Sequence, residues 1–408
     1  MRTLSADDHV VVVGAGLSGW RVAEALRREG YDGALTLIGD EAHAPYDRPP
    51  LSKQVLAGKW DVERTTLATP ERVTALGVTL RLGVAAVGLD VATTTVHLAD
   101  DTSVAGTYVV IATGTRALRL PYAAGDLVLT LRTRDDVVRL RQDLARRTAG
   151  SVIAIVGGGF IGAEAATALH SLGFTPIVLE AGARPLERVL GDDVSRWLAH
   201  LASDAGVELR NDQRIDEVAA LNGDFVVQFA NGSTLDAAVV IVAAGASVND
   251  EWLATSGLTL DNGIVVDANL LATDRVAAIG DVARFLWSNT LGAELARIEH
   301  WQIANDHAQA LARFWTSGRR SDELLVPYFW SDQYGQKIQV LGHARPDDEV
   351  TMVKGSIAQG SWLGVFSRDG VVTGVVTLNQ PRALMLSKGL LDVRTTIDEA
   401  RASAPWLA

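Results

Sequence analysis

The chain reads as an α/β protein made of two similar strand–turn–helix halves followed by a smaller α+β tail. Three observations predict this. The apolar, β-branched run His9 to Val13 leads into Gly14-Ala-Gly16-Leu17-Ser18-Gly19 and a segment of helical periodicity. A second such run, Val152 to Val156, leads into Gly157-Gly-Gly159-Phe160-Ile161-Gly162 and another helical segment. From Val326 onward, short alternating stretches between turn residues replace that plan.

A glycine triplet between a strand and a helix has a mechanical meaning. The first glycine allows the tight bend, the second lets backbone N–H groups approach a pyrophosphate, and the third lets the helix pack closely on the strand. The helix N-terminus then faces the phosphate charge. Both triplets also have an acidic partner about 20 residues on, the distance at which a carboxylate accepts hydrogen bonds from an adenosine ribose. After the first it is Asp40 or Glu41, at the end of the run Leu35 to Ile38; after the second it is Glu180, at the end of Ile177 to Leu179. Each half is therefore a Rossmann-like dinucleotide-binding unit. The charge of Glu180 repels a 2′-phosphate and so favours NADH over NADPH, although Arg184 nearby is a residue type that accommodates that phosphate.

The remaining elements follow in order. The first half closes on the strand Tyr108 to Ile111 and the turn Ala112-Thr113-Gly114, with Arg116 just beyond. Arg132 precedes a helical stretch reaching about Thr148. The second half closes on an apolar run from Val239 into Ala244 and Gly245. Asn262 to Asp267 and Val276 to Ile279 read as further strands, the latter ending in Gly280-Asp281, and helical periodicity runs from about Arg297 to Trp315. The tail offers strands at Tyr328 to Trp330, Lys337 to Leu341, Val350 to Val353, Trp362 to Phe366 and Val371 to Leu378, then a helical region from about Arg382 to Arg401.

Composition excludes several functions. At 408 residues the chain is too long for one ordinary core and predicts two or three domains. The longest apolar run, Ala237 to Val248, predicts a buried strand and is too short for a membrane span. The first strand begins by residue 9, which leaves no room for a signal peptide and predicts a cytoplasmic protein. A net charge of −12 argues against nucleic acid or an anionic membrane as the main partner. With no cysteine there are no disulfides, thiolate nucleophiles or thiolate-held metal centres, and no metal site is expected. Redox chemistry in such a chain has to come from a bound organic cofactor.

The stretch Ala44-Pro-Tyr46-Asp-Arg48-Pro-Pro-Leu-Ser52-Lys53 is the most specific part of the sequence after the two triplets. Together with them, and with Ala112-Thr113-Gly114, Gly280-Asp281, Glu299-His-Trp301 and Tyr328-Phe-Trp-Ser-Asp-Gln333, it resembles the FAD-dependent, NADH-oxidising ferredoxin reductases. These serve Rieske-type ring-hydroxylating dioxygenases, such as biphenyl dioxygenase, and bacterial cytochromes P450. The resemblance covers the whole chain.

It implies a glutathione-reductase-like plan of three domains: a discontinuous FAD domain at 1–116 and 248–322, an NADH domain at 117–247 and a C-terminal α+β domain at 323–408. FAD is assigned to the first triplet and NADH to the second. Asp40 or Glu41 then holds the adenosine ribose, Arg48 and Lys53 contact the flavin end, Asp281 binds the ribityl chain, and Trp301 lies against the flavin region. Arg116 and Arg132 match family arginines near FAD more loosely. Glu164, just inside the second helix, matches a glutamate that pairs with the lysine of the RPPLSK loop, so Lys53 and Glu164 are the expected catalytic pair. The implied partner is a [2Fe–2S] ferredoxin feeding a Rieske oxygenase or P450.

Plainer readings compete at single positions. Arg48 and Lys53 could be surface charges after a proline-rich loop, Asp281 could cap a segment beginning at Val282, a role compatible with cofactor binding, Glu164 could be a carboxylate favoured by a helix dipole, and Trp301 could be core. Arg313, Arg319, Arg320 and Lys337 are candidates for docking an acidic ferredoxin by position alone. Zero cysteine excludes the thiol-dependent disulfide reductases of the same plan, and the tail lacks the basic amphipathic helix of a membrane-bound quinone reductase. A rubredoxin reductase, or an NADH-responsive redox-sensing flavoprotein related to apoptosis-inducing factor, remain as alternatives.

Overall fold

The computed structural model describes residues 3–120, 128–289, 291–320 and 325–407. They divide into two compact units: Met1–Asp47, Thr65–Arg116 and Val248–Phe329 form one, and Arg48–Arg64, Ala117–Ser247 and Trp330–Ala408 the other.

In the first unit the β-branched runs become a five-stranded sheet in the order Val276–Ala278, Tyr108–Ile111, His9–Val13, Ala34–Gly39, Thr79–Leu82. Its pairings are parallel, with Val11 opposite Thr36 on one side and Val109 on the other. Parallel strands are covered on both faces, which is why these runs read as continuously apolar instead of alternating. The helices Leu17–Arg28 and Trp301–Ser317 pack together against this core, burying Trp20, Leu26, Leu311 and Trp315.

The second unit repeats the plan. Its parallel sheet runs Glu208–Arg210, Thr175–Leu179, Val152–Val156, Val239–Val242, Leu129–Thr130. A meander of Ile215–Leu221, Asp224–Phe229 and Thr234–Ala237 buries Phe225, Val227 and Phe229 against Ile177 and Val240. The tail forms a separate five-stranded sheet, ordered Tyr328–Gln333, Gln336–Gly342, Val371–Leu378, Ser361–Arg368, Glu349–Ser356, whose central strand Val371–Leu378 is buried throughout. Its first two strands are joined by Tyr334 and Gly335, both with positive φ (54° and 74°), the backbone that a two-residue hairpin turn requires.

Three expected elements differ from those observed. The apolar run from Ala237 to Val248 is several strands, not one, because Gly245, at φ 109°, turns the chain between Val239–Val242 and Ala246–Val248. The helix expected from Arg297 starts at Trp301, since Gly292–Ala296 is paired as a strand and His300 is extended. The C-terminal helical region is broken into Pro381–Leu386, a 3₁₀ turn Lys388–Leu391, and Ile397–Ser403. The last of these restarts at a capping box in which Thr396 and Glu399 satisfy each other's backbone amides. Among the described residues no helix is long and apolar enough to cross a membrane.

Candidate functional site

The glycines of both triplets are required by close contact. A Cβ added to Gly14, at φ 114°, would fall 2.2 Å from the Ala112 carbonyl oxygen, and one at Gly19 would fall 2.0 Å from that of Gly14. Gly157 and Gly162 repeat this against Ala243 at 2.4 Å and Gly157 at 2.0 Å. The middle glycines differ: nothing lies within 4 Å of a Cβ at Gly16 or Gly159. These are the N-caps of Leu17–Arg28 and Phe160–Ser171; neither helix has a side-chain cap or an acidic residue in its first turn. Each helix start therefore presents backbone N–H groups and no competing carboxylate of its own, the chemistry that accepts a pyrophosphate. Leu17 and Ser18 line the first turn, and Phe160 and the exposed Ile161 the second.

In the first unit, a Cβ on Gly39 would press to 2.6 Å from that of Ala15, so Asp40 and Glu41 emerge beside the triplet. Asp40 is exposed and its Oδ1 accepts the Glu41 amide at 3.0 Å, while Tyr46 donates its hydroxyl to Glu41 Oε2 at 2.6 Å. The Thr113–Gly114 turn is clamped by Asn249, which donates Nδ2 to Thr113 O at 2.9 Å and its own N–H to Gly114 O at 3.0 Å. Arg116 is committed locally: Glu251, Asn249 and the Val248 carbonyl all accept from its guanidinium. That pairing holds the Glu251 carboxyl below its ordinary range and raises the Arg116 guanidinium further.

Asp281 corrects one expectation. It lies in the 3₁₀ turn Gly280–Val282, and the chain continues as the strand Ala283–Asn289, so no helix follows for it to cap. Thr115 Oγ donates to its carboxylate at 3.5 Å, and Arg297 donates to its carbonyl at 3.2 Å. Beneath the turn, the Gly280 N–H donates to Nδ1 of His307 at 3.2 Å. His307 is fully buried, and burial pushes its imidazole down to about 3, so it is neutral with its proton on Nε2. Trp301 is only partly buried and donates Nε1–H to Asp47 Oδ1 at 2.8 Å.

In the second unit, both oxygens of Glu180 accept backbone N–H groups, from Gly158 at 2.8 Å and from Gly182 at 2.7 Å. Arg184 is engaged by Asp192. Ala244 adjoins the Gly157 turn, and Gly245 bends away at φ 109°.

From Arg48 on, the proline-rich loop belongs to this unit. Pro50, with φ −69°, starts a π-helical turn Leu51–Val55, in which Val55 N–H reaches back to Pro50 O at 3.0 Å. Such turns are rare and concentrate at functional sites. This one brings Lys53 Nζ to 2.7 Å from Glu164 Oε2, with only 13% and 3% of the two side chains exposed. The Glu164 carboxylate also accepts from Ser52 Oγ and Ser331 Oγ, each at 2.6 Å. Arg48 donates to the Arg132 carbonyl at 2.9 Å, and Asp136 accepts the Arg132 N–H at 2.8 Å. A buried ion pair is retained only where each charge is matched and hydrogen-bonded, which is the arrangement here.

Of the basic candidates, Arg313, Arg319 and Arg320 are exposed in the first unit, while Lys337, in the second, pairs with Asp332 at 3.4 Å. Sequence reasoning missed Tyr46, Asp47, Asn249, Ser52, Ser331 and His307 as site residues. Tyr46, Asp47, Ser52 and Ser331 lie inside stretches it had singled out, whereas Asn249 and His307 carry no local signal.

Comparison with known proteins follows the same outline. The family model described as pyridine nucleotide-disulphide oxidoreductase matches residues 8–308, and the one described as reductase C-terminal matches residues 328–407. The chlorobenzene dioxygenase ferredoxin reductase component of Cupriavidus sp. (strain PS12) is 33% identical over 96% of this chain and 94% of its own. Putidaredoxin reductase of Pseudomonas putida is 32% identical over 97% and 94%. The crystal structure of the covalent putidaredoxin reductase–putidaredoxin complex matches with a TM-score of 0.89 over 95% of this chain and 93% of that one, at 32% identity.

Proposed function

The chain belongs to the pyridine nucleotide-disulphide oxidoreductase family and has a reductase C-terminal domain, and from that premise we propose that it is a ferredoxin–NAD⁺ reductase. It passes electrons from NADH through FAD to a [2Fe–2S] ferredoxin that feeds a Rieske-type oxygenase or a cytochrome P450. The cytoplasm, where NADH is available, is its proposed setting. The relatives' printed roles as reductase components support the partner class. The lack of cysteine removes the dithiol chemistry of the family's disulphide branch.

The residues present fit both nucleotides. The open glycine cradles, with no acid in either first helical turn, suit two pyrophosphates. In this reading Gly14 to Gly19 hold the FAD pyrophosphate, Asp40 or Glu41 its ribose, and Ala112 to Gly114 and Gly280-Asp281 line the rest of its path. Arg48, Lys53 and Trp301 serve the flavin end, with Arg116 and Arg132 as supports. Gly157 to Gly162, Glu180, Ala244 and Gly245 hold NADH. When bound, FAD accepts two electrons from NADH as a hydride and releases them singly to a one-electron acceptor.

The chain's own part is positioning and electrostatics. The second triplet and Glu180 orient NADH, which makes the transfer effectively unimolecular. Lys53 places a positive charge where negative charge develops, and Glu164 holds that lysine in place in a largely dry site. The observation that carries this reading is the buried Lys53–Glu164 contact at 2.7 Å, on the loop and helix that the motifs singled out.

The test is anaerobic stopped-flow mixing of the purified holoprotein with NADH and then with a [2Fe–2S] ferredoxin. Fast bleaching of flavin absorbance followed by fast cluster reduction is expected. A persistent reduced form that passes electrons to no ferredoxin would instead point to a redox sensor, and transfer to rubredoxin alone to a different acceptor.

A further inference from the structure

We propose that Ser331, supplied by the reductase C-terminal domain, is a positioning residue for the Lys53–Glu164 pair and so sets the rate at which NADH reduces the holoprotein. This rests on the reading above that Lys53 acts in that step. The two oxygens of Glu164 are not equivalent. Oε2 accepts from both Lys53 Nζ (2.7 Å) and Ser52 Oγ (2.6 Å), which follow each other in one π-helical turn. Oε1 accepts from Ser331 Oγ at 2.6 Å, from a residue 167 positions away.

The terminal torsion of a glutamate is broad and roughly two-fold. Donors on Oε2 alone leave the carboxylate plane poorly defined, and Ser331 supplies the second point that defines it. The hydroxyl is itself aimed. Ser331 is fully buried, and Gln333 Nε2 donates to its Oγ at 3.4 Å, leaving the Ser331 proton directed at Glu164.

The strand is held in register by a second contact near one turn along the same helix. Thr167 donates its hydroxyl to Ala163 O at 2.7 Å, so its oxygen is left to accept, and the Tyr334 N–H donates to it at 2.7 Å. The left-handed Tyr334 backbone, at φ 54°, belongs to the hairpin turn that follows Ser331. The first strand of the C-terminal sheet is thus fastened to the helix of the second triplet at Glu164 and again at Thr167. A carboxylate fixed on both oxygens holds its lysine in one place, which is how supporting contacts tune a site without touching the reactants.

The experiment is single-turnover reduction of FAD-loaded protein by NADH for the wild type, Ser331→Ala, Ser331→Thr, Lys53→Met and the Ser331→Ala/Lys53→Met double variant. Ser331→Ala is expected to lower the limiting reduction rate about tenfold, with the NADH concentration dependence little changed. Ser331→Thr, which keeps the hydroxyl, is expected to restore the rate to within about twofold. In the Lys53→Met background Ser331→Ala should add almost nothing, because it acts through the lysine; a general structural defect would slow both backgrounds alike.

A wild-type rate in Ser331→Ala, or equal slowing in both backgrounds, would overturn the proposal. If Ser331→Ala does not yield folded holoprotein, Gln333→Leu gives the same cycle at a smaller amplitude, about threefold, under the same two criteria. Lys53→Met reducing at the wild-type rate would instead remove the reading on which the proposal rests, and the proposal with it.

Discussion

Glu180 accepts the Gly158 N–H at 2.8 Å, which ties the carboxylate that follows the strand Thr175–Leu179 to the second glycine triplet. The charge is thereby held in place before any nucleotide arrives, because the other oxygen is occupied by Gly182 at 2.7 Å. Glu180→Ala removes a fixed negative charge and leaves two amides without this acceptor. The expected result is a fall of about tenfold in kcat/KM for NADH and a smaller fall for NADPH, so that discrimination narrows, with FAD content unchanged. Steady-state kinetics with both coenzymes check this. An unchanged ratio would remove Glu180 from coenzyme selection.

The two glycine cradles predict separable defects. In Gly14→Ala the new methyl would fall 2.2 Å from Ala112 O, and in Gly157→Ala 2.4 Å from Ala243 O, both at left-handed backbone positions (φ 114° and 110°). Neither obstruction is a flexible side chain, so the turn itself must open. Gly14→Ala is expected to purify without the yellow colour of bound flavin. Gly157→Ala should stay yellow and fail to bleach with NADH. Visible spectra before and after anaerobic NADH addition decide it, and the opposite pattern would reverse the assignment of the two nucleotides.

Local structure leaves a signal in the sequence, and contacts between residues far apart in the chain leave none. Both triplets, their strands and their acidic partners were legible because each signal is local: a β-branched run, a glycine spacing, a carboxylate at the next strand end. The Lys53–Glu164 pairing was legible only through family likeness, since nothing local links a proline-rich loop to a helix more than 100 residues on. Asn249, which clamps Thr113 from 136 residues away, had no signal at all. Asp281 was open to misreading as a cap because aspartate is a favoured N-cap residue, whereas here a 3₁₀ turn and a strand follow it. The C-terminal helical region was too long as read because helical periodicity persists across the break at Thr396, where only the capping box marks a new start.

Removing one member of the Lys53–Glu164 pair separates stability from catalysis. Lys53→Met leaves a carboxylate that is 3% exposed without its cation, and the expected cost is about 3 kcal/mol, eased by the Ser52 and Ser331 hydroxyls that still donate to it. Pairing it with Glu164→Gln removes the stranded charge and should recover most of the melting temperature. The rate of flavin reduction by NADH should stay at least tenfold below wild type in both variants, because the positive charge is absent from each. Recovery of the rate along with stability would mean that the lysine serves packing alone.

Buried under the Gly280 turn, His307 predicts a pH dependence of stability. Its imidazole is pushed from an ordinary value of 6.5 to about 3, and desolvation is the cause. Between those limits the unfolded chain takes up a proton that the native state refuses. Stability therefore falls as pH drops through 6.5 and continues to fall toward 3, by about 1.4 kcal/mol per pH unit from this residue alone. Above 6.5 the group contributes no slope. His307→Asn keeps an acceptor for the Gly280 N–H, now made at 3.2 Å to Nδ1, and removes the titration. Urea unfolding midpoints at pH 7.5 and pH 5 should then diverge less in the variant than in the wild type, by roughly the equivalent of one proton. Equal acid sensitivity in the two proteins would show that His307 takes up its proton in the native state as well.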